Sequence, residues 1–293
     1  YLTEIRLVTA TGDVLDISPS TNPDLFRAAC VSLGSLGVVT RLQMQNRSAY
    51  RLKERNWAQK TEEVLESFDE LANRHRHFEM FPLTHSDYAL VLSIDETEEP
   101  INHPVPNPEE EAQFGNAMSS WMLMPPNERR PHINALAEQI EPSEAVDVSY
   151  RILANVRNNR FNEMEYSVPR ERGGDCLREI LNTIAERQID VVFPLEYRYV
   201  RGDDLWLSMF GGGDRAAISI HRTAEADYRP YFDVIEPIFW KYGGRPHWGK
   251  VHSLGYAELN ELYPRFEEFR ILRAELDPHG RFLNDHLRKV FGA

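Results

Sequence analysis

Stretches with a two-residue apolar–polar period come in neighbouring groups, and stretches with a helical period fall between the groups. This order constrains the chain more than any other feature of its 293 residues. Strands that follow one another across short turns pair antiparallel, so the pattern specifies α+β with mostly antiparallel sheet rather than an alternating βαβ fold. The first group opens the chain. LTEIRLVTA alternates, Thr11-Gly12-Asp13 turns, and VLDIS returns, which predicts a hairpin. Ser20-Thr21-Asn22-Pro23-Asp24 is a capping cluster before the helix LFRAAC. SLGSLG breaks that helix, and VVTRLQMQ is a further β-rich run.

From Tyr50 the character changes. TEEVLESFDELANR puts Val64, Leu65, Phe68, Leu71 and Ala72 on one helical face, and HFEMFP and YALVLSI follow as strands. Residues 98–142 form an acidic, Pro-rich excursion centred on HPVPNPEEE, read as irregular chain carrying a helix or two. VDVSYRIL and NEMEYSV come next, then a helix at DCLREILNTIAERQ. Three strands are expected after it, in DVVFPLEYRYV, DLWLSMF and AAISIH. The helix YRPYFDVIEPIFWKY stops at Gly243-Gly244. One long amphipathic helix is expected to carry Leu259, Leu262, Phe266, Phe269 and Leu272 before the closing DPHGRFLNDHLRKVFG.

Charge limits the partners. Lys plus Arg is 33 against 46 for Asp plus Glu, a net charge of −13, and neutralising nucleic-acid phosphates needs the opposite surplus. The same acidity disfavours anionic membranes, and no apolar run reaches the ~18 residues of a membrane span. Cys30 and Cys176 both sit in apolar helical patterns and are expected as buried free thiols. The chain begins with Tyr1, inside a strand pattern, which suggests the later part of a longer polypeptide.

Several polar groupings invite chemistry. Gly211-Gly212-Gly213 is read as a hairpin turn between two strands, because a dinucleotide loop needs a strand before it and a helix after it. His75, His77 and Glu79 at two-residue spacing would share one strand face, yet no His-x-x-x-His or Cys-x-x-Cys supports a metal there, and a solvated face is the plainer reading. In PLEYRYV, Glu196 and Arg198 share one face of an apolar strand while Tyr197 and Tyr199 take the other. The pair serves as a structural ion pair or, at a cleft, as a device that orients a hydroxyl and takes its proton. Pro246-His247-Trp248-Gly249-Lys250 concentrates a cation, an imidazole and an indole in one loop. It suits either a surface loop with a stacking Trp or a fixed cation beside an electron-rich ring.

PLEYRYV, RPHWGK and DPHGRFLNDHLRKVFG together resemble the C-terminal region of the sugar-1,4-lactone oxidases, flavoenzymes of the vanillyl-alcohol-oxidase class, with alditol oxidase close by. VTATGDVLDISPSTNPDLFRAACVSLGSLGVVTRLQM resembles the end of their FAD-binding domain. The resemblance implies FAD as cofactor and a small polyol or sugar lactone as substrate. It implies that Glu196, Arg198 and Lys250 line the substrate site beside the flavin, with Thr223 of SIHRT as a looser substrate contact. Lys250 and His247 would meet the flavin, Lys250 near its pyrimidine edge, and Gly37, Val38 and Val39 would pack against it. Catalytic roles fall to Glu196, Arg198 and Lys250.

The domains expected on this basis are 1–49, the end of an FAD-binding domain whose remainder lies outside the chain; 50–240, a substrate domain; and 241–293, a segment returning to the flavin. The implied reaction moves a hydride from a hydroxyl-bearing carbon to FAD and the electrons on to dioxygen. Alditol oxidation, or a dehydrogenase serving a quinone or cytochrome, are the neighbouring readings. A non-enzymatic module that keeps Glu196 and Arg198 only as an ion pair is the bland one.

Overall fold

A computed structural model describes residues 1–102, 108–154 and 160–293, without the side chains of 108–114. The centre of the acidic excursion, residues 103–107, therefore lies outside the described residues. The strands and helices run β1 (Leu2–Val8), β2 (Val14–Ile17), α1 (Pro23–Cys30), β3 (Val38–Met44), β4 (Arg51–Lys60), α2 (Thr61–Arg74), β5 (His77–Pro82), β6 (Tyr88–Thr97), α3 (Pro108–Met122) and α4 (Arg129–Ala137). They continue β7 (Ser143–Val148), α5 (Ser149–Leu153), β8 (Phe161–Pro169), α6 (Gly173–Glu186), β9 (Glu196–Val200), β10 (Arg215–Thr223), α7 (Arg229–Lys241), α8 (Tyr256–Leu262), α9 (Phe266–Leu276) and α10 (Asp285–Phe291). No helix among them is long and apolar enough to cross a membrane. Two compact units result: Tyr1–Ser48 with Arg201–Asp214 and Gly243–Ala293, and Ala49–Val200 with Arg215–Tyr242.

In the first unit, β1 lies between β2 and β3, antiparallel to both. The hairpin turns at Gly12, whose φ of +92° is open to glycine at little cost. The Ser20–Asp24 cluster works differently from expectation. Asn22 makes no side-chain cap, and the Ser18, Ser20 and Thr21 hydroxyls bond one another instead, while Pro23 starts α1. The single long helix expected near the end is two helices. Tyr263 precedes Pro264 and is extended (φ −110°, ψ 112°), because proline crowds an α-conformation on the residue before it. DLWLSMF is likewise no strand. Trp206, Leu207, Ser208 and Met209 are all buried in succession, and the Asp203 carboxylate accepts from Leu205 N and Ser208 Oγ, which winds the segment into turns. The three glycines therefore follow a looped segment, not a strand.

In the second unit the strands are ordered β8-β10-β9-β5-β6-β4-β7, with antiparallel pairing throughout. A buried row crosses its middle: Tyr166, Ile218, Tyr197, Met80 and Val91 are successive cross-strand partners. Helices cover this face. Phe68 of α2 meets Tyr197 and Tyr199 edge-on at 4.7 Å, and Phe239 of α7 stacks on Tyr166 at 4.8 Å. Burying an apolar row under amphipathic helices is the main source of stability in such a layer. Neither cysteine forms a disulfide. Cys176 is buried, and burial pushes its thiol up to about 12. Cys30 is only half-buried, because it ends α1 just before the turn at Leu33 and Gly34.

Candidate active site

The alternation of β9 puts Tyr197 under the helices and so turns Glu196 and Arg198 to the opposite face. Register then decides their company. Glu196 is opposite Ser219 of β10, which is opposite Glu165 of β8, and Arg198 is opposite Ala217 on one side and Glu79 of β5 on the other. Arg198 Nη1 bonds Glu196 directly. It lies 3.5 Å from Glu79 Oε2, while Nη2 lies 3.5 Å from Glu165 Oε1. Glu165 Oε2 accepts from Ser219 Oγ at 3.1 Å.

Next along β10, His221 faces Glu163. Its Nε2 is 3.3 Å from Glu163 Oε1, and its Nδ1 is 3.1 Å from the Pro194 carbonyl. The ring thus reaches a backbone carbonyl with one nitrogen and a carboxylate with the other. Donor atoms of Glu163, Glu196 and His221 lie within 4.8 Å of one another, a spacing open to a metal ion. The guanidinium already bound to Glu196 supplies a cation there, and the group reads more simply as a set of proton and hydroxyl partners. Thr223 lies two residues beyond His221 on β10, half-buried and on the same face.

Sequence reasoning singled out Glu196, Arg198 and Thr223 here and missed Glu163, Glu165 and His221. The missed signal is the one used for β9: NEMEYSV carries two acids two residues apart in an apolar strand, and AAISIH carries Ser219 and His221 in the same way. Glu79 does face this cluster. His75 does not share its strand, since it lies past the end of α2 and bonds Asp95 at 2.6 Å.

In the first unit, the loop of His247 and Lys250 is rigidly built. Trp248 Nε1 donates to the Leu207 carbonyl at 2.6 Å, and its ring stacks on Tyr263 at 5.2 Å. Arg245 braces the same turn by donating to the Gly211 and Leu262 carbonyls. Lys250 N closes a tight turn onto the His247 carbonyl at 3.0 Å, and His247 Nδ1 accepts from Gly249 N at 3.1 Å. His252, two residues on, is different. Neither ring nitrogen makes a well-formed hydrogen bond although both are buried. Burial holds its pKa down to about 4, helped by His286 and Lys289 and opposed weakly by the Leu254 backbone. DPHGRFLN is a capped turn: buried Asp277 accepts from Arg281 N and Phe282 N, both at 2.9 Å. Gly37 has a structural duty, since a Cβ there would meet the Val8 carbonyl oxygen at 2.5 Å. Val38 and Val39 are exposed on β3.

Residues 42–290 match the model of the D-arabinono-1,4-lactone oxidase family. The chain belongs to that family. Its members are FAD-dependent oxidoreductases acting on CH–OH groups. The L-gulono-1,4-lactone dehydrogenase of Mycobacterium tuberculosis is 35% identical, over 99% of this chain and 68% of that protein. The L-gulonolactone oxidase of Bos taurus is 30% identical over 98% and 68%, and the alditol oxidase of a Streptomyces species 29% identical over 98% and 67%. Among solved structures, a cholesterol oxidase from Brevibacterium sterolicum superposes with a TM-score of 0.72 at 12% identity, covering 99% of this chain and 68% of that one. That likeness shows the fold, an α+β arrangement with antiparallel sheet and flanking helices. Two features of this chain suit a flat cofactor on the first unit: the exposed Val38 and Val39, and the braced Lys250 loop.

Proposed function

We propose that this protein oxidises a hydroxyl-bearing carbon of a small polyol of the sugar-1,4-lactone class, with FAD as oxidant and dioxygen as final acceptor. The observation that supports it is the Glu196–Arg198 pair, held on one sheet face among further acids and His221, in a chain of this family. FAD, when bound, supplies the two-electron oxidant for the carbon centre. The chain's own residues manage the oxygen and its proton. Glu196 takes the hydroxyl proton, and Arg198 donates to that oxygen as it gains negative charge. His221 and Thr223, on the same face, hold neighbouring hydroxyls. Lys250 sets a positive charge against the charge that reduction brings, and Gly37, Val38, Val39 and His247 help to hold the cofactor. The exposed apolar residues of β3 pack against the remainder of an FAD-binding domain, to which residues 1–49 contribute.

The test uses the full-length, flavin-loaded enzyme with sugar lactones and alditols in an oxygen electrode. Lactone-dependent oxygen uptake is the expected result. Glu196→Gln should slow flavin reduction by about 10²–10⁴-fold while changing substrate binding only a few-fold. An unchanged reduction rate removes Glu196 from the chemistry. The dehydrogenase named among the relatives favours a second reading, in which an artificial dye is reduced and oxygen is not.

A further inference from the structure

Arg198 meets carboxylates from three strands, and they do not pull on it alike. Glu196 and Glu79 engage Nη1, whereas Glu165 engages Nη2. Glu165 is also the most deeply placed, with its side chain 1% exposed against 9% for Glu196 and 23% for Glu79. A carboxylate so far from water is costly unless a cation and a hydrogen-bond donor offset it. Arg198 and the Ser219 hydroxyl do so. Ala217, opposite Arg198, is too small to block the guanidinium on its way over β10.

We propose that Glu165 is a positioning residue, which holds Nη2 so that the guanidinium neither swings fully onto Glu196 nor turns its remaining donors away from the substrate oxygen. A guanidinium is a planar fork, and anchoring both ends fixes its plane as anchoring one end does not. Sharing its charge among Glu196, Glu79 and Glu165 leaves less of it on Glu196. The assignment rests on the reading of Arg198 as the oxygen-holding residue.

The experiment has one arm that needs no turnover. In the full-length, flavin-loaded enzyme, phenylglyoxal labelling of Arg198 is followed by peptide mass mapping, with buried Arg129 as internal control. Glu165→Gln should label several-fold faster at Arg198 and no faster at Arg129. In the kinetic arm KM for the lactone should rise several-fold, the size expected for an ion-pair contact at 3.5 Å, with kcat changed far less. Ser219→Ala leaves every charge in place but loosens Glu165, and should move both quantities the same way by less. Labelling at the parent rate in both variants overturns the proposal, whether or not Glu165→Gln has lost stability. A parent enzyme that oxidises no CH–OH compound refutes the functional reading and the proposal with it, whereas parent-rate labelling of both variants in an active enzyme refutes the positioning role alone.

Discussion

Ala217 lies opposite Arg198 in the ladder between β9 and β10, and its methyl group leaves the guanidinium clear to approach Glu165 on the strand beyond, 3.5 Å away. Ala217→Leu would fill that passage. Ala217 is 2% exposed, so the larger side chain should cost about 1–3 kcal/mol of stability through overpacking. It should also raise KM for the substrate by displacing Arg198. Chemical denaturation and steady-state kinetics on one preparation check both; a stability loss with KM unchanged would show that the passage is not used.

Lys250→Met keeps the side-chain length and removes the charge. If the cation opposes the negative charge of the reduced flavin, the two-electron potential should fall by an amount on the order of 30 mV, equivalent to roughly tenfold in the equilibrium. Lys250→Arg should lower it less. Spectroscopic titration against a reference dye measures both, and a potential equal to the parent's with FAD fully bound would assign Lys250 to the surface.

His252 makes stability depend on pH. Its pKa is about 4 in the folded chain against an ordinary 6.5, so the unfolded chain binds the extra proton. Stability is complete above pH 6.5 and is lost as the pH falls from 6.5 towards 4, by about 3 kcal/mol. His286 and Lys289, which face the ring, keep the charged form unfavourable. His252→Phe should flatten this part of the stability–pH curve, as measured by urea unfolding at pH 7, 5.5 and 4. An equally steep curve in the variant would place the proton uptake elsewhere.

Gly173 begins α6 where there is no room for a side chain. A Cβ would meet Ala216 Cβ at 2.4 Å and the Tyr197 hydroxyl at 2.6 Å. Its φ of −62° suits any residue, so the obstacle is steric alone. Gly173→Ala should destabilise by about 1–3 kcal/mol and lower the thermal midpoint by several degrees. A midpoint at the parent value would mean that α6 shifts freely.

The two-residue period of EYRYV was enough to put Glu196 and Arg198 on one face, because alternation is a property of a single strand. The turn at Gly12 and the helical faces of α2 and α7 were local in the same sense, set by glycine's freedom and by the 3.6-residue period. The neighbours of Glu196 were not local. Glu165 and His221 reach it only through the register of β8, β10 and β9, in which strands distant in sequence align; a slip of one residue would turn every side chain to the other face. DLWLSMF reads as a strand until Asp203 ties it into turns, and the last long helix reads as continuous until Pro264 acts on Tyr263. Composition, alternation and motif spacing by themselves determined the fold class and the central acid–base pair. Only the tertiary structure decided which charges surround that pair, since the cost of burying Glu165 is met by Arg198 and Ser219 on other strands.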